Sequence, residues 1–332
     1  MTNTDETSGQ TPRKHRWLAG ALPFAVMILL VGGVASNGAL RALLADAWSR
    51  ISWEAVLATL PGQLVANVLY GAALFAMRPG VSRGASFISR LLRDAGCNLL
   101  LVMPGLGEAI GARVLVLTGA RGRTAITATA LDALAEAAAQ LPYIALAIAV
   151  LPRFWSMMRL PLPHGPWVIA AVLGLVALVA GAALWLRRHG NARILRRLRV
   201  EFALLRREMR RQHGGFPTAI FYHFFGWGMG GVQLWVAARV LGFPLSPFAA
   251  LAIDSVAYAA RGIVFFVPAG VVLQEAGLVG AGLVFGLAAP QALALGLVLR
   301  LRDVVLGTSL LAWPVLEIRY QRSEVRYQES FL

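Results

Sequence analysis

Leu99-Leu-Leu-Val-Met-Pro-Gly-Leu-Gly-Glu108 sets a proline, two glycines and a carboxylate inside an apolar run long enough to cross a bilayer. Phe265-Phe-Val-Pro-Ala-Gly-Val-Val-Leu-Gln-Glu275 repeats the pattern near the other end of the chain. Proline removes a backbone donor and clashes with the preceding turn of a helix. In hydrocarbon the freed backbone groups need partners in the protein or in a water-filled cavity. Two such breaks, one in each half of a chain, point to a transport site. The expected breaks are Pro104 with Gly105 and Pro268 with Gly270.

The composition supports that setting. Hydrophobic residues make up 58% of the 332 residues and charged residues 14%, with a mean hydropathy of +0.66. Several windows exceed 18 apolar residues, the length of a membrane-spanning helix. The net charge of +15 comes from 31 Lys and Arg against 16 Asp and Glu, with Lys14 the sole lysine. The arginines cluster between apolar spans, a topology signal rather than a nucleic-acid footprint. The single cysteine, Cys97, excludes an intramolecular disulfide.

The expected fold is an all-α integral membrane protein. It is a polytopic helical bundle with about six full spans, at residues 17–35, 53–77, 124–150, 167–186, 216–240 and 292–315. Trp17, Trp53, Trp167 and Trp313 stand near span ends, where an amphipathic ring prefers the interface. Residues 1–16 read as a disordered cytoplasmic N-terminus, 17–316 as a single transmembrane domain whose first span is a retained anchor, and 317–332 as a cytoplasmic tail. Arg13, Lys14 and Arg16 place the N-terminus inside. Arg78, Arg83, Arg90 and Arg93 read as a second cytoplasmic cluster. Residues 187–213 hold ten arginines against Glu201 and Glu208 and must also be cytoplasmic. A single straight span at 94–120 would put that segment outside. A re-entrant hairpin broken at Pro104-Gly105 removes the conflict, each arm being about ten residues, or roughly 15 Å. Residues 247–288 form a second broken pair, either fully spanning or re-entrant, opening from the other side. The result is inverted-repeat-like, with both termini in the cytoplasm. Ile194, Leu198, Phe202, Leu205 and Met209 recur at helical spacing within 187–213, which reads as an amphipathic helix facing anionic lipid or as a solvated linker.

Charges inside apolar spans are costly, so they pair or line a cavity. The candidate cavity-lining residues are Glu108, Arg113, Asp132, Glu136, Gln140, Asp254, Arg261, Gln274, Glu275, Arg300, Arg302 and Asp303. Asp132, Glu136 and Gln140 share one helix face. Asp254 with Arg261, and Arg300 with Asp303, also share faces; static ion pairs that lock helices are the plainer alternative. Glu108 and Glu275 equally suit helix caps beside the breaks. His223 reads as a core histidine. Phosphate-loop, zinc-helix and metal-cluster spacings are missing, so no cofactor, metal or nucleic acid is expected. The glycines of Gly226-Trp-Gly-Met-Gly-Gly231 read as a close helix contact.

Pro104-Gly-Leu-Gly-Glu108, with Phe266-Val-Pro268 ahead of Glu275, resembles the lysylphosphatidylglycerol-synthase transmembrane-region family of flippase-like proteins. The resemblance extends over about residues 15–318. It is nearest the hopanoid-biosynthesis-associated membrane proteins of bacteria, through Cys97-Asn98, Asp132-xxx-Glu136-xxx-Gln140, Asp254-Ser255-xx-Tyr258-xx-Arg261, Gln274-Glu275-Ala-Gly277, Arg300-x-Arg302-Asp303-xxx-Gly307 and Trp313-xxx-Glu317. It departs at Val272 and Leu273, where a second glycine is usual, at Asp254 in place of Glu, and at the late Arg113. The resemblance implies a non-enzymatic, flippase-like transporter in the bacterial inner membrane, moving or handling a hopanoid or related polar lipid without an ATP site. A scaffold for lipid-biosynthesis enzymes and an intramembrane enzyme acting on a lipid are the alternatives.

Overall fold

Short polar side chains start the first helices. In the computed structural model Asn37 accepts from the Leu40 amide (3.1 Å) and opens α1, Gly38–Ser49. Ser52 accepts from Ala55 (3.2 Å) and opens α2, Trp53–Ala76. Ser82 does the same for Ala85 (3.2 Å) ahead of α3, Arg83–Leu99. Each satisfies an amide that the helix itself leaves unpaired. The helices that follow are α4 (Leu106–Leu117), α5 (Gly122–Met157), α6 (Gly215–Val240), α7 (Pro247–Ile263), α8 (Gly270–Val284), α9 (Ala289–Gly307) and α10 (Ala312–Glu329). The structure describes residues 32–33, 36–99, 105–157, 214–263 and 270–329, with scattered helical positions between 196 and 211. Among them there is helix and no strand.

The expected spans at 53–77, 124–150 and 216–240 coincide with α2, α5 and α6. Among the described residues two helices are long and apolar enough to cross a membrane: Trp53–Ala76 and the Gly122–Val150 part of α5. At 24 residues α2 is about 36 Å long, against a hydrocarbon core of about 30 Å. The expected spans at 17–35 and 167–186, the N-terminus 1–16, most of 187–213, Pro104 and Pro268 lie outside the described residues.

Three expectations change. The span at 292–315 is not one helix: a 3-10 turn, Thr308–Leu311, separates α9 from α10. Pro314 explains the break, because its ring would clash with the Leu310 carbonyl of a continuous α-helix. The first arm of the 94–120 hairpin starts eleven residues earlier, at Arg83, because Ser82 provides a cap there. Arg90 and Arg93 are consequently buried helix residues rather than cytoplasmic loop charges.

The pair α3 and α4 closes on small residues. The Ser89 hydroxyl donates to the Gly111 carbonyl (2.8 Å). A Cβ on Gly107 would lie 2.7 Å from the Arg93 carbonyl oxygen and 2.9 Å from the Cys97 amide nitrogen. Gly105 takes φ +82° immediately before α4, a left-handed conformation that glycine adopts without strain. The pair α7 and α8 is built alike, with Gly277 against the Ala257 backbone at 3.2 Å. Along the seam of α6 with α2 and α7, a Cβ on Gly226 would overlap the Tyr70 ring, and one on Gly231 would reach 2.7 Å from the Leu251 Cα.

The apolar core falls into separate parts. The largest joins α1, α2, α6, α7, α8 and α9 around Val56, Leu234, Ile253 and Leu295. A second packs Leu74, Leu115 and Leu131, and a small third packs Leu92, Ile110 and Val114 against Trp313. Between them lies polar interior. The outward faces are apolar: Trp53 is 62% exposed and Ile126 65%, with Val68, Leu141 and Phe221 similarly open.

Candidate functional site

The polar interior begins on one face of α3. Arg90, Arg93, Asp94 and Cys97 stand at i, i+3, i+4 and i+7, so one stripe carries all four. Asp132 and Glu136 form the matching stripe on α5. Arg90, 2% exposed, donates to Asp132 Oδ2 (2.8 Å), Glu136 Oε1 (2.7 Å) and Asp94 Oδ2 (3.1 Å). Arg93 donates to Glu136 Oε2 (3.0 Å), Asp132 Oδ2 (3.3 Å) and Glu108 Oε1 (3.3 Å). The buried His223 of α6 meets the other Asp132 oxygen from Nε2 at 2.8 Å. The Tyr70 ring of α2 lies 4.7 Å from the Arg90 guanidinium carbon, a cation–π contact. Two guanidiniums thus bind four carboxylates, tying α2, α3, α4, α5 and α6 through one knot. Charges this buried persist only when paired and hydrogen-bonded.

A second knot joins α6, α7, α8 and α9. Arg300 donates to Glu275 Oε1 (2.9 Å) and Gln274 Oε1 (2.6 Å), and lies 3.7 Å from Asp303. Arg302 donates to Asp303 Oδ1 (2.6 Å) and to Gln233 Oε1. Arg261 reaches Gln274 Oε1 at 3.4 Å.

A cavity of about 450 Å³ lies between the two knots. Of the expected residues, Glu108, Asp132, Glu136, Gln140, Asp254, Arg261 and Arg302 are gathered in or behind its walls. Asp132 sits one layer back, holding Arg90 and Arg93, and the other six line the cavity. Gln274, Glu275, Arg300 and Asp303 lie behind its wall, within the second knot. Arg113 does not reach the cavity: it pairs with Glu317 and fastens α4 to α10. Its guanidinium holds the Glu317 carboxyl below the usual carboxylate range. His223 is a core residue at 0% exposure, as its apolar surroundings in the sequence imply.

Sequence reasoning missed Arg90, Arg93 and Asp94 as cavity residues. The signal was present in their helical spacing with Cys97. Counting them as loop charges hid it. It also missed Trp227 and Tyr258, whose rings meet edge-to-face at 4.9 Å on the α6–α7 wall.

The two walls differ chemically. On the α3–α5 wall Arg90 and the carboxylates facing it are saturated by one another. On the α6–α7 wall two groups are not. Asp254 is 3% exposed and forms no hydrogen bond or ion pair among the described residues. The buried indole Nε1 of Trp227 has no partner among them either. No cluster of His, Cys, Asp and Glu with metal-binding geometry occurs among the described residues. The arrangement can hold a small polar group by hydrogen bonds and charge, and Asp254 offers an acceptor for one.

Comparison of the chain with family models, with curated proteins and with solved structures gives no match.

Proposed function

We propose that this chain is a multi-pass protein of the bacterial inner membrane that handles the polar head of a lipid, as a flippase-like transporter. The carrying observation is the charged cavity inside a helical molecule whose outer faces are apolar. Exposed Trp53, Val68, Ile126 and Leu141 suit contact with acyl chains. The cavity's volume of about 450 Å³ suits a headgroup rather than a whole lipid. The α3–α4 and α7–α8 pairs, each with a proline and a glycine in the sequence between its two helices or at their edge, suit an inverted-repeat transporter with both termini in the cytoplasm. The resemblance to the flippase-like family agrees and makes a hopanoid or related polar lipid the cargo to test first. The arginines of 187–213 would add contacts to anionic lipid.

A non-catalytic scaffold for lipid-biosynthesis enzymes is the second reading. The pairing of Arg90 with Asp94, Asp132 and Glu136 favours it, since ion pairs already satisfied serve shape.

Reconstitution separates the two. The full chain is placed in vesicles with a headgroup-labelled lipid in both leaflets, and a membrane-impermeant quencher is added outside. A transporter lets quenching run past the outer leaflet toward completion. Quenching that stops where protein-free vesicles stop overturns the transport reading and leaves the scaffold.

A further inference from the structure

A buried carboxylate stands without a partner among the described residues. Asp254 lies on α7, with its carboxylate seated over Gly230 of α6, where any Cβ would overlap Oδ2. Burial without a hydrogen bond is costly for a polar group and far more so for a charge. The nearby cations form no bond with it. Arg302 is already bound to Asp303 and Gln233. Arg261, two turns along α7, hydrogen-bonds to Gln274 among the described residues. Trp227 lies one turn before Gly230 and lines the same cavity as Asp254. Tyr258, one turn beyond Asp254, packs its ring on Trp227. An unpartnered acceptor and two aromatic rings therefore share one side of the cavity, while ion pairs span the opposite wall.

We propose that the α6–α7 wall is the headgroup subsite, where Asp254 accepts hydrogen bonds from a hydroxyl or ammonium group of the bound lipid. The subsite rests on the lipid-handling reading and narrows it to headgroups that carry hydrogen-bond donors. The Arg90–Arg93 knot is then a brace that fixes the opposite wall, not the recognition element.

The test uses the delipidated full chain in detergent, with native mass spectrometry to read lipid retention. Three probes share acyl chains and phosphate: phosphatidylethanolamine (N–H donors), phosphatidylglycerol (O–H donors) and phosphatidylcholine (a cation without donors). The ethanolamine or the glycerol lipid is expected to bind about tenfold more tightly than the choline lipid. Which of the two leads tells ammonium from hydroxyl. Asp254→Asn should abolish the ratio, and Asp254→Glu, which moves the carboxylate by one methylene, should reduce it. Asp46→Asn, at an exposed i,i+4 pair with Arg50, should leave it unchanged. Equal retention of all three lipids by the unaltered protein overturns the subsite whether or not the variants fold. A ratio that stays undiminished in either Asp254 variant overturns it too. Lipid movement in vesicles without any headgroup preference would remove the subsite and leave the transport reading. Preference at Asp254 without movement would do the reverse.

Discussion

Arg90 is the residue on which the interior charge depends. It is buried, it donates to Asp94, Asp132 and Glu136, and the Tyr70 ring covers it. Removing one partner of a buried ion pair leaves the other charges uncompensated, at a cost of about 3–5 kcal/mol. Arg90→Ala is expected to lower the thermal midpoint sharply or to prevent accumulation. Arg90→Lys keeps the charge but loses the planar fork that reaches three carboxylates at once, so an intermediate loss is expected. Thermal unfolding of the three proteins in one detergent checks the order. Three of the four acids of this knot, Glu108, Asp132 and Glu136, were legible in the sequence, because a carboxylate within an apolar span must pair or line a cavity. Their cationic partners were not. Arginine near an apolar span is usually a topology marker, and only the helix starting at Ser82 turns Arg90 and Arg93 inward.

At the scale of elements, glycine positions the helices. Gly231 lets α6 approach the α7 backbone so closely that a Cβ would meet the Leu251 Cα at 2.7 Å. Alanine is the better helix former by about 1 kcal/mol, but forcing two backbones apart costs about 1–3 kcal/mol. Gly231→Ala is therefore expected to destabilise, whereas Gly84→Ala, where an added Cβ meets nothing closer than a serine hydroxyl 4.0 Å away, is expected to be neutral or stabilising. Melting curves of the two variants decide it. The close contact was legible in the Gly226–Gly231 pattern, and so were the long helices α2, α5 and α6, because hydrophobic length and period carry that information. The division of 292–315 was harder to read: hydropathy runs through it, and the break follows from the geometry of one proline. The hairpin of α3 and α4 makes its own statement about topology. With Cys97 replaced by Ser, cysteines at the exposed ends Arg83 and Arg121 should label from the same side of the membrane. Labelling from opposite sides would contradict a hairpin.

Over the whole molecule, apolar side chains such as Trp53, Ile126, Leu141 and Phe221 face outward, while buried arginines and carboxylates form a polar layer between the apolar parts of the core. The first feature fits surroundings of acyl chains, and the second fits an interior that receives something polar. The composition of the sequence announces the first. The second depends on contacts between residues separated by 39 to 46 positions, such as Arg93 with Asp132 and Arg90 with Glu136, and no local pattern encodes those. The most direct measurement is site-specific photo-crosslinking in native membranes. A photoreactive residue replaces Ala137, which lines the cavity on α5, and the adducts are weighed by mass spectrometry after delipidation. The expected result is a covalent adduct with the mass of a membrane lipid, lost when an excess of that lipid's headgroup competes. No lipid adduct at Ala137, with adducts still forming at the outward-facing Leu57, would show that lipid surrounds this protein without entering it and would contradict the central claim.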